Sequence, residues 1–166
     1  MSKLTLRAAQ LDLARQMETP QYIRNFIDFV ARCGYNAVML YLEDRIRTAS
    51  YPYPSTEESY SEEQIRELVE YARQKGIDLF PCVATLGHAE RFLRHPELQH
   101  LAELQGDMKG RFGGTRKDSF CPTHPEFYDF IGRYLQEVAA LFPSPYFHAG
   151  LDEFWDFNLC PRCQKA

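Results

Sequence analysis

The chain has 166 residues, 45% of them hydrophobic, 14% aromatic and 25% charged, with a formal net charge of −4. These values exclude a disordered, collagen-like or coiled-coil chain and predict one globular domain over residues 1–166. The mild acidity offers no basic surface for tracking phosphates, so no nucleic-acid partner is expected, and no apolar run of about 18 residues encodes a membrane span. The N-terminal stretch MSKLTLRAAQ lacks the apolar core of a signal peptide, and the five cysteines are an odd number. Together these give the expectation of a cytoplasmic chain with reduced thiols.

Short apolar runs alternate with helical patterns. The run from Leu4 to Leu13 predicts a first strand. A helix follows from Pro20 to Cys33, with Thr19 as its N-cap, Pro20 at the first helical position and Gly34 as its stop. Ala37 to Leu42 is a second strand. Its helix begins at Ser61, where Ser61 and Gln64 have capping-box spacing, and Gly76 ends it. Ile77 to Val83 is a third strand, followed by a long segment with a short helix near Ala89 to Arg94. Thr123 and Glu126 read as another capping box, opening a helix that carries Phe127, Phe130, Ile131, Tyr134, Leu135 and Val138 on one side. Tyr146 to Gly150 is a fourth strand.

Strands apolar throughout are buried on both faces, and alternation with amphipathic helices predicts an α/β fold with a parallel sheet. A doubly wound sheet and a (β/α) barrel both fit this pattern. No GxGxxG or P-loop motif follows a strand, so the nucleotide-binding signature is missing.

Polar residues follow each predicted strand. They are Asp12 and Arg15; Glu43, Asp44 and Arg45; Thr85, His88 and Glu90; and Asp152, Glu153 and Trp155. In a barrel these ends converge on the face that carries the active site. Each group also has a plainer reading: a surface ion pair for Asp12 and Arg15, a solvated turn for Glu43 to Arg45, a structural histidine for His88, and a core histidine for His148. Asp152 and Glu153 are the least bland, because adjacent acids beside Phe154 and Trp155 would raise each other's pKa in an apolar cleft. As strand neighbours they would point opposite ways unless the backbone turns, which favours separate roles. Tyr51, Tyr53 and Tyr60 could line a cleft, although loop packing accounts for them better. Cys160 and Cys163 form a lone CxxC, and a metal there would need Cys82, Cys121 or a histidine as further ligands. A redox pair or a tight turn serves as well, and no metal is assigned.

The segment His148-Ala149-Gly150-Leu151-Asp152-Glu153 resembles the His-x-Gly-Gly-Asp-Glu motif of family 20 glycoside hydrolases, the β-N-acetylhexosaminidases. Leu11-Asp12-Leu13-Ala14-Arg15 resembles the family's first-strand motif. Asn36 to Asp44 is similar to its second strand, and Ile77 to His88 to its third strand and the Pro-Gly-His that follows. Leu151 stands in place of the motif's second glycine, and Leu86 in place of the proline.

The resemblance implies the N-terminal half of a (β/α)8 TIM barrel, about four βα units, with the later strands' tryptophans, tyrosine and further acid unassigned. It implies a retaining, substrate-assisted hydrolase that removes terminal β-linked N-acetylhexosamine from a glycan or glycoside and needs no cofactor or metal. Glu153 would be the general acid and base, and Asp152 would orient the acetamido group. Arg15 would bind sugar hydroxyls, with Asp44 and His88 in the polar network of the cleft. The expectation is a fragment of a longer enzyme, inactive alone, or a homodimer closing through the open edges of the first and fourth strands. Two other readings stay open: a non-catalytic carbohydrate-binding or self-associating half barrel, and a metal-dependent isomerase-like barrel.

Overall fold

The computed structural model describes residues 4–166; Met1, Ser2 and Lys3, the start of the N-terminal stretch read above, lie outside them. Four parallel strands, β1 (Ala8–Asp12), β2 (Ala37–Tyr41), β3 (Asp78–Ala84) and β4 (His148–Gly150), lie side by side in chain order. Helix α1 (Pro20–Arg32) links β1 to β2, and α2 (Glu62–Gln74) links β2 to β3. The short α3 (Glu90–Leu93) and the long α4 (Pro125–Ala139) lie between β3 and β4.

Strand order without a reversal is that of a barrel, whereas a doubly wound sheet reverses at a switch point. Helix placement agrees. Ile23, Ile27 and Val30 of α1, Ile65 and Leu68 of α2, and Phe130 and Tyr134 of α4 share one core with Leu11, Val38, Leu40, Leu79 and Val83. Those strand residues all occupy one face, because side chains alternate across a sheet. The other face carries Gln10 level with Met39 and Phe80, and Asp12 level with Tyr41, Cys82 and His148. This face bounds an open cavity of about 440 Å³ lined by Gln10, Met39, Tyr41, Cys82 and His148. The sheet is therefore half of a barrel wall, with helices outside and the barrel interior uncovered.

The two middle strands are buried as expected, but β1 has no fully buried residue and β4 only Gly150, both being edges with an open inner face. His148 accordingly is exposed rather than a core histidine, with Nδ1 3.1 Å from Cys82 Sγ.

Local chemistry sets the helix starts. Thr19 accepts from the Tyr22 amide, and Ser61 and Gln64 form the reciprocal capping box. At α4 the cap is His124, whose ring accepts from the Glu126 amide, and not Thr123. Pro125 occupies the first helical turn, which moves the cap to the residue before it. The Thr123 hydroxyl instead meets the sulfurs of Cys121 and Cys163 at 3.3 and 3.2 Å.

Candidate active site

The first strand ends in a turn built by its own aspartate. Asp12 Oδ1 accepts from the amides of Ala14 and Arg15, at 3.0 and 3.1 Å. Such a side-chain turn folds the chain back over the strand end and points Arg15 across the sheet. Arg45, from the segment after β2, locks the turn from below by donating to the Leu13 and Ala14 carbonyls. Arg45 is therefore structural.

The segment after β2 divides two adjacent acids. Glu43 sits in the left-handed region, with φ 48°, and this sends consecutive side chains to different environments. Asp44 is fully buried and is held by Arg91 and by the Tyr51 hydroxyl at 3.1 Å, with Arg94 at 3.9 Å. No substrate reaches it there. Asp44 braces the loops from beneath, which corrects its expected place in the cleft. Glu43 takes the site-facing position, with Oε1 3.3 Å from Arg15 Nη1. Burial, reinforced by the Glu90 charge, lifts the Glu43 carboxyl from the ordinary 4.5 to about 7, although Arg15 pulls the other way.

The third strand continues into a turn pressed against the fourth. The Thr85 amide donates to the Gly150 carbonyl at 2.8 Å. A Cβ on Gly87 would stand 2.4 Å from the Asp152 carbonyl oxygen and 2.8 Å from that of Glu153. Only glycine admits this approach, and it seats the acid pair on the β3 loop. His88 follows with φ 53° and turns its ring into the cleft.

His88 joins the strand ends. Its Nδ1 lies 3.3 Å from Arg15 Nη2. A guanidinium only donates, so Nδ1 accepts and the ring proton sits on Nε2. Nε2 faces Glu153 Oε2 at 3.0 Å and Asp152 Oδ2 at 3.5 Å. One polar chain thus runs from Glu43 through Arg15 and His88 to the Asp152–Glu153 pair, and it crosses all four strand ends. Tyr41 lies under the Arg15 guanidinium, with its ring centroid at 4.9 Å.

Two expectations about the acid pair change. The backbone turns after Gly150, and Glu153 adopts φ 50°. Both carboxylates therefore reach one nitrogen instead of diverging. They also keep 57% and 54% side-chain exposure, so the desolvating apolar cleft expected around them is not formed by residues 4–166. Trp155 is half exposed and packs edge-on against Phe112. Within the polar chain the buried acid is Glu43.

Arg15, His88, Asp152 and Glu153 are brought together, and Asp44 is not. Glu43, Tyr41 and Gly87 complete the arrangement. Glu43 stood in the sequence beside Asp44, and only the left-handed backbone decides which acid faces the site. Tyr51 and Tyr60 are fully buried and line no cleft. Among the described residues, one set of side chains is grouped to hold a metal ion: Glu103, Cys121, Cys160 and Cys163. None of them is bonded to this polar chain. No described helix is long and apolar enough to cross a membrane.

The profile of glycosyl hydrolase family 20, catalytic domain, matches residues 5–166. A β-hexosaminidase from Akkermansia muciniphila is 29% identical over 96% of this chain, and one from Porphyromonas gingivalis is 31% identical over 96%. The chain spans 37% and 23% of those two relatives. The crystal structure of an exo-β-N-acetylglucosaminidase from Vibrio harveyi in complex with N-acetylglucosamine superposes with a TM-score of 0.84 at 25% identity. That match covers 98% of this chain and 30% of the Vibrio enzyme.

Proposed function

The chain belongs to glycosyl hydrolase family 20, and from that premise we propose that it supplies the acid pair and the sugar-gripping arginine of a β-N-acetylhexosaminidase. The reaction is removal of a terminal β-linked N-acetylhexosamine with retention of configuration. The substrate's own 2-acetamido oxygen attacks the anomeric carbon and forms an oxazolinium ion, which water then opens. Glu153 protonates the leaving oxygen and afterwards accepts the proton of the attacking water. Asp152 orients the acetamido N–H and offsets the positive charge. Arg15 binds hydroxyls of the terminal sugar. His88 positions Glu153 through its Nε2 proton, and Glu43 and Tyr41 hold Arg15 in place.

The observation that carries this reading is the convergence of Asp152 and Glu153 on one imidazole nitrogen, at 3.5 and 3.0 Å. A two-carboxylate retaining mechanism needs acids about 5 Å apart on opposite sides of the anomeric carbon. In this reading both acids act from the end of one strand, joined through His88, and the nucleophile is carried by the substrate. The complex of the Vibrio relative with N-acetylglucosamine supports that sugar as the bound unit.

Barrels of this class close with eight strands. In this reading the remaining wall comes from further sequence of the same polypeptide, or from a second copy seated on the open β1 and β4 edges. The test is turnover of an aryl N-acetyl-β-glucosaminide against its N-trifluoroacetyl analogue by the barrel-complete protein. Substrate assistance predicts a steep loss with the poorer acetamido nucleophile. Equal rates would assign the nucleophile to the protein, and binding without turnover would favour a carbohydrate-binding role.

A further inference from the structure

We infer that Glu103, Cys121, Cys160 and Cys163 bind one zinc ion as a closed structural site. The four residues come from three separate stretches of chain. All are buried, and one ligand atom from each lies within 4.8 Å of every other.

The spacing is that of a coordination shell. Cys121 Sγ lies 3.6 Å from both Cys160 Sγ and Cys163 Sγ. Tetrahedral zinc with Zn–S bonds of about 2.3 Å sets sulfurs about 3.8 Å apart. A disulfide would need about 2.05 Å, and three thiols cannot all pair with one another.

The turn at the CxxC aims both its sulfurs at one point. The Cys163 amide donates to Cys160 Sγ at 3.2 Å, and the Gln164 amide donates to the Cys160 carbonyl at 3.1 Å. That N–H bond holds the Cys160 sulfur inside the turn, on the side of Cys163.

Glu103 is the independent pointer. It is fully buried, and among the described residues no Lys, Arg or His pairs with it. A buried carboxylate without a cation is costly. Its Oε1 accepts from the Leu159 and Cys160 amides at 2.9 and 2.8 Å, which fixes the carboxylate plane. Oε2 accepts from Cys163 Sγ at 3.1 Å. Ligand orientation by backbone donors of this kind is how proteins hold metal-binding carboxylates. Three thiolates select a soft or borderline ion, and four protein ligands leave no open position, so the ion's role is structural. On binding, the thiols release their protons to solvent and the sulfurs bond the metal. No electron transfer is involved.

The ion clasps the segment after β4 to the stretch before α4 and to the loop at Glu103. Cys160 lies a few residues beyond Glu153, so the clasp closes the loop that leaves the acid pair.

The test is metal content of the purified protein with and without replacement by cobalt. The expected result is one zinc per chain, and a cobalt form with an intense thiolate charge-transfer band and tetrahedral ligand-field bands. Cys160→Ser with Cys163→Ser abolishes both. Glu103→Cys, which offers a fourth sulfur, keeps the zinc and intensifies the charge-transfer band, and this guards against loss by misfolding. A folded wild-type protein that carries no zinc, shows three freely titrating buried thiols and gives no cobalt–thiolate band would overturn the inference. A disulfide between any two of the three cysteines in that protein would do the same.

Discussion

Replacing Gly87 by alanine should disable the site while leaving the fold in place. The new Cβ would stand 2.4 Å from the Asp152 carbonyl oxygen, whereas ordinary contact begins at 3.4 Å. Something must therefore move by about 1 Å, and the flanking β3 and β4 are tied together by the parallel ladder and by the Thr85–Gly150 bond. The turn at 152–153 is the freer partner, because its side chains are more than half exposed. Gly87 itself is not in the left-handed region, so alanine suffers no backbone penalty and the effect is steric. A 1 Å misplacement of a reacting group costs about 10²-fold in rate, and overpacking costs about 1 to 3 kcal/mol in stability. The assay is kcat and KM for an aryl N-acetyl-β-glucosaminide in the barrel-complete protein, with thermal denaturation alongside. The expected outcome is kcat down about 10²-fold at a temperature where the variant is fully folded. A variant with kcat within about twofold of the parent would show that the Gly87 contact does not place the acids, and would refute the reasoning. Gly132→Ala is the control. Nothing lies within 4 Å of a Cβ in the middle of α4, so this variant should gain about 0.5 to 1 kcal/mol in stability with unchanged kcat.

Three further outcomes concern the polar chain and the buried acid beside it. The Glu43 carboxyl is raised from 4.5 to about 7 in the fold, so the folded state holds the extra proton in that window. Its stabilising contribution is complete below pH 4.5 and is lost as pH rises through 7; Glu43→Gln should abolish about 3 kcal/mol of that pH dependence, measured by urea denaturation across this window. Arg15→Lys should lower kcat/KM by about 10- to 100-fold, because one ammonium cannot span His88, Glu43 and the Tyr41 face together. Asp44→Ala should cost about 3 to 5 kcal/mol in stability by leaving Arg91 without its buried partner, read as a lower Tm. If Asp44 touched substrate instead, the loss would appear in KM with Tm unchanged.

The layout of the fold was legible where local chemistry decides it. Ser61 and Gln64 announce α2, and the apolar runs at 37–42 and 77–83 fix the two central strands to within a residue or two. Sequence could not choose between barrel and doubly wound sheet, since that choice depends on which face the helices cover. The unbroken strand order and the sharing of one core by α1, α2 and α4 decide it. An apolar run reads the same on an edge strand as on a central one, so sequence does not reveal that His148 is exposed. Pro125 outranks capping-box spacing in setting the helix start, so the cap falls on His124 and not on Thr123.

The site was half legible for a related reason. Strand-end position picked out Arg15, His88, Asp152 and Glu153. It could not separate Glu43 from Asp44, because the deciding feature is the φ of 48° at Glu43, a conformation carbon-bearing side chains seldom adopt. The cysteines show the limit of spacing rules most plainly. The CxxC finds its partners in Cys121 and Glu103, one across the stretch before α4 and the other after a short turn, at separations no motif records.

The account rests on Glu153 as the group that protonates the leaving oxygen. The decisive measurement compares Glu153→Gln with the parent on two N-acetyl-β-glucosaminides, one with a methyl or sugar aglycone and one with a 2,4-dinitrophenyl aglycone. The account predicts a loss of roughly 10²- to 10⁴-fold on the first, which needs a proton to depart. It predicts a far smaller loss of bond-cleavage rate on the second, which departs unaided. Full turnover of the first substrate by Glu153→Gln, or equal losses on both, would contradict the assignment.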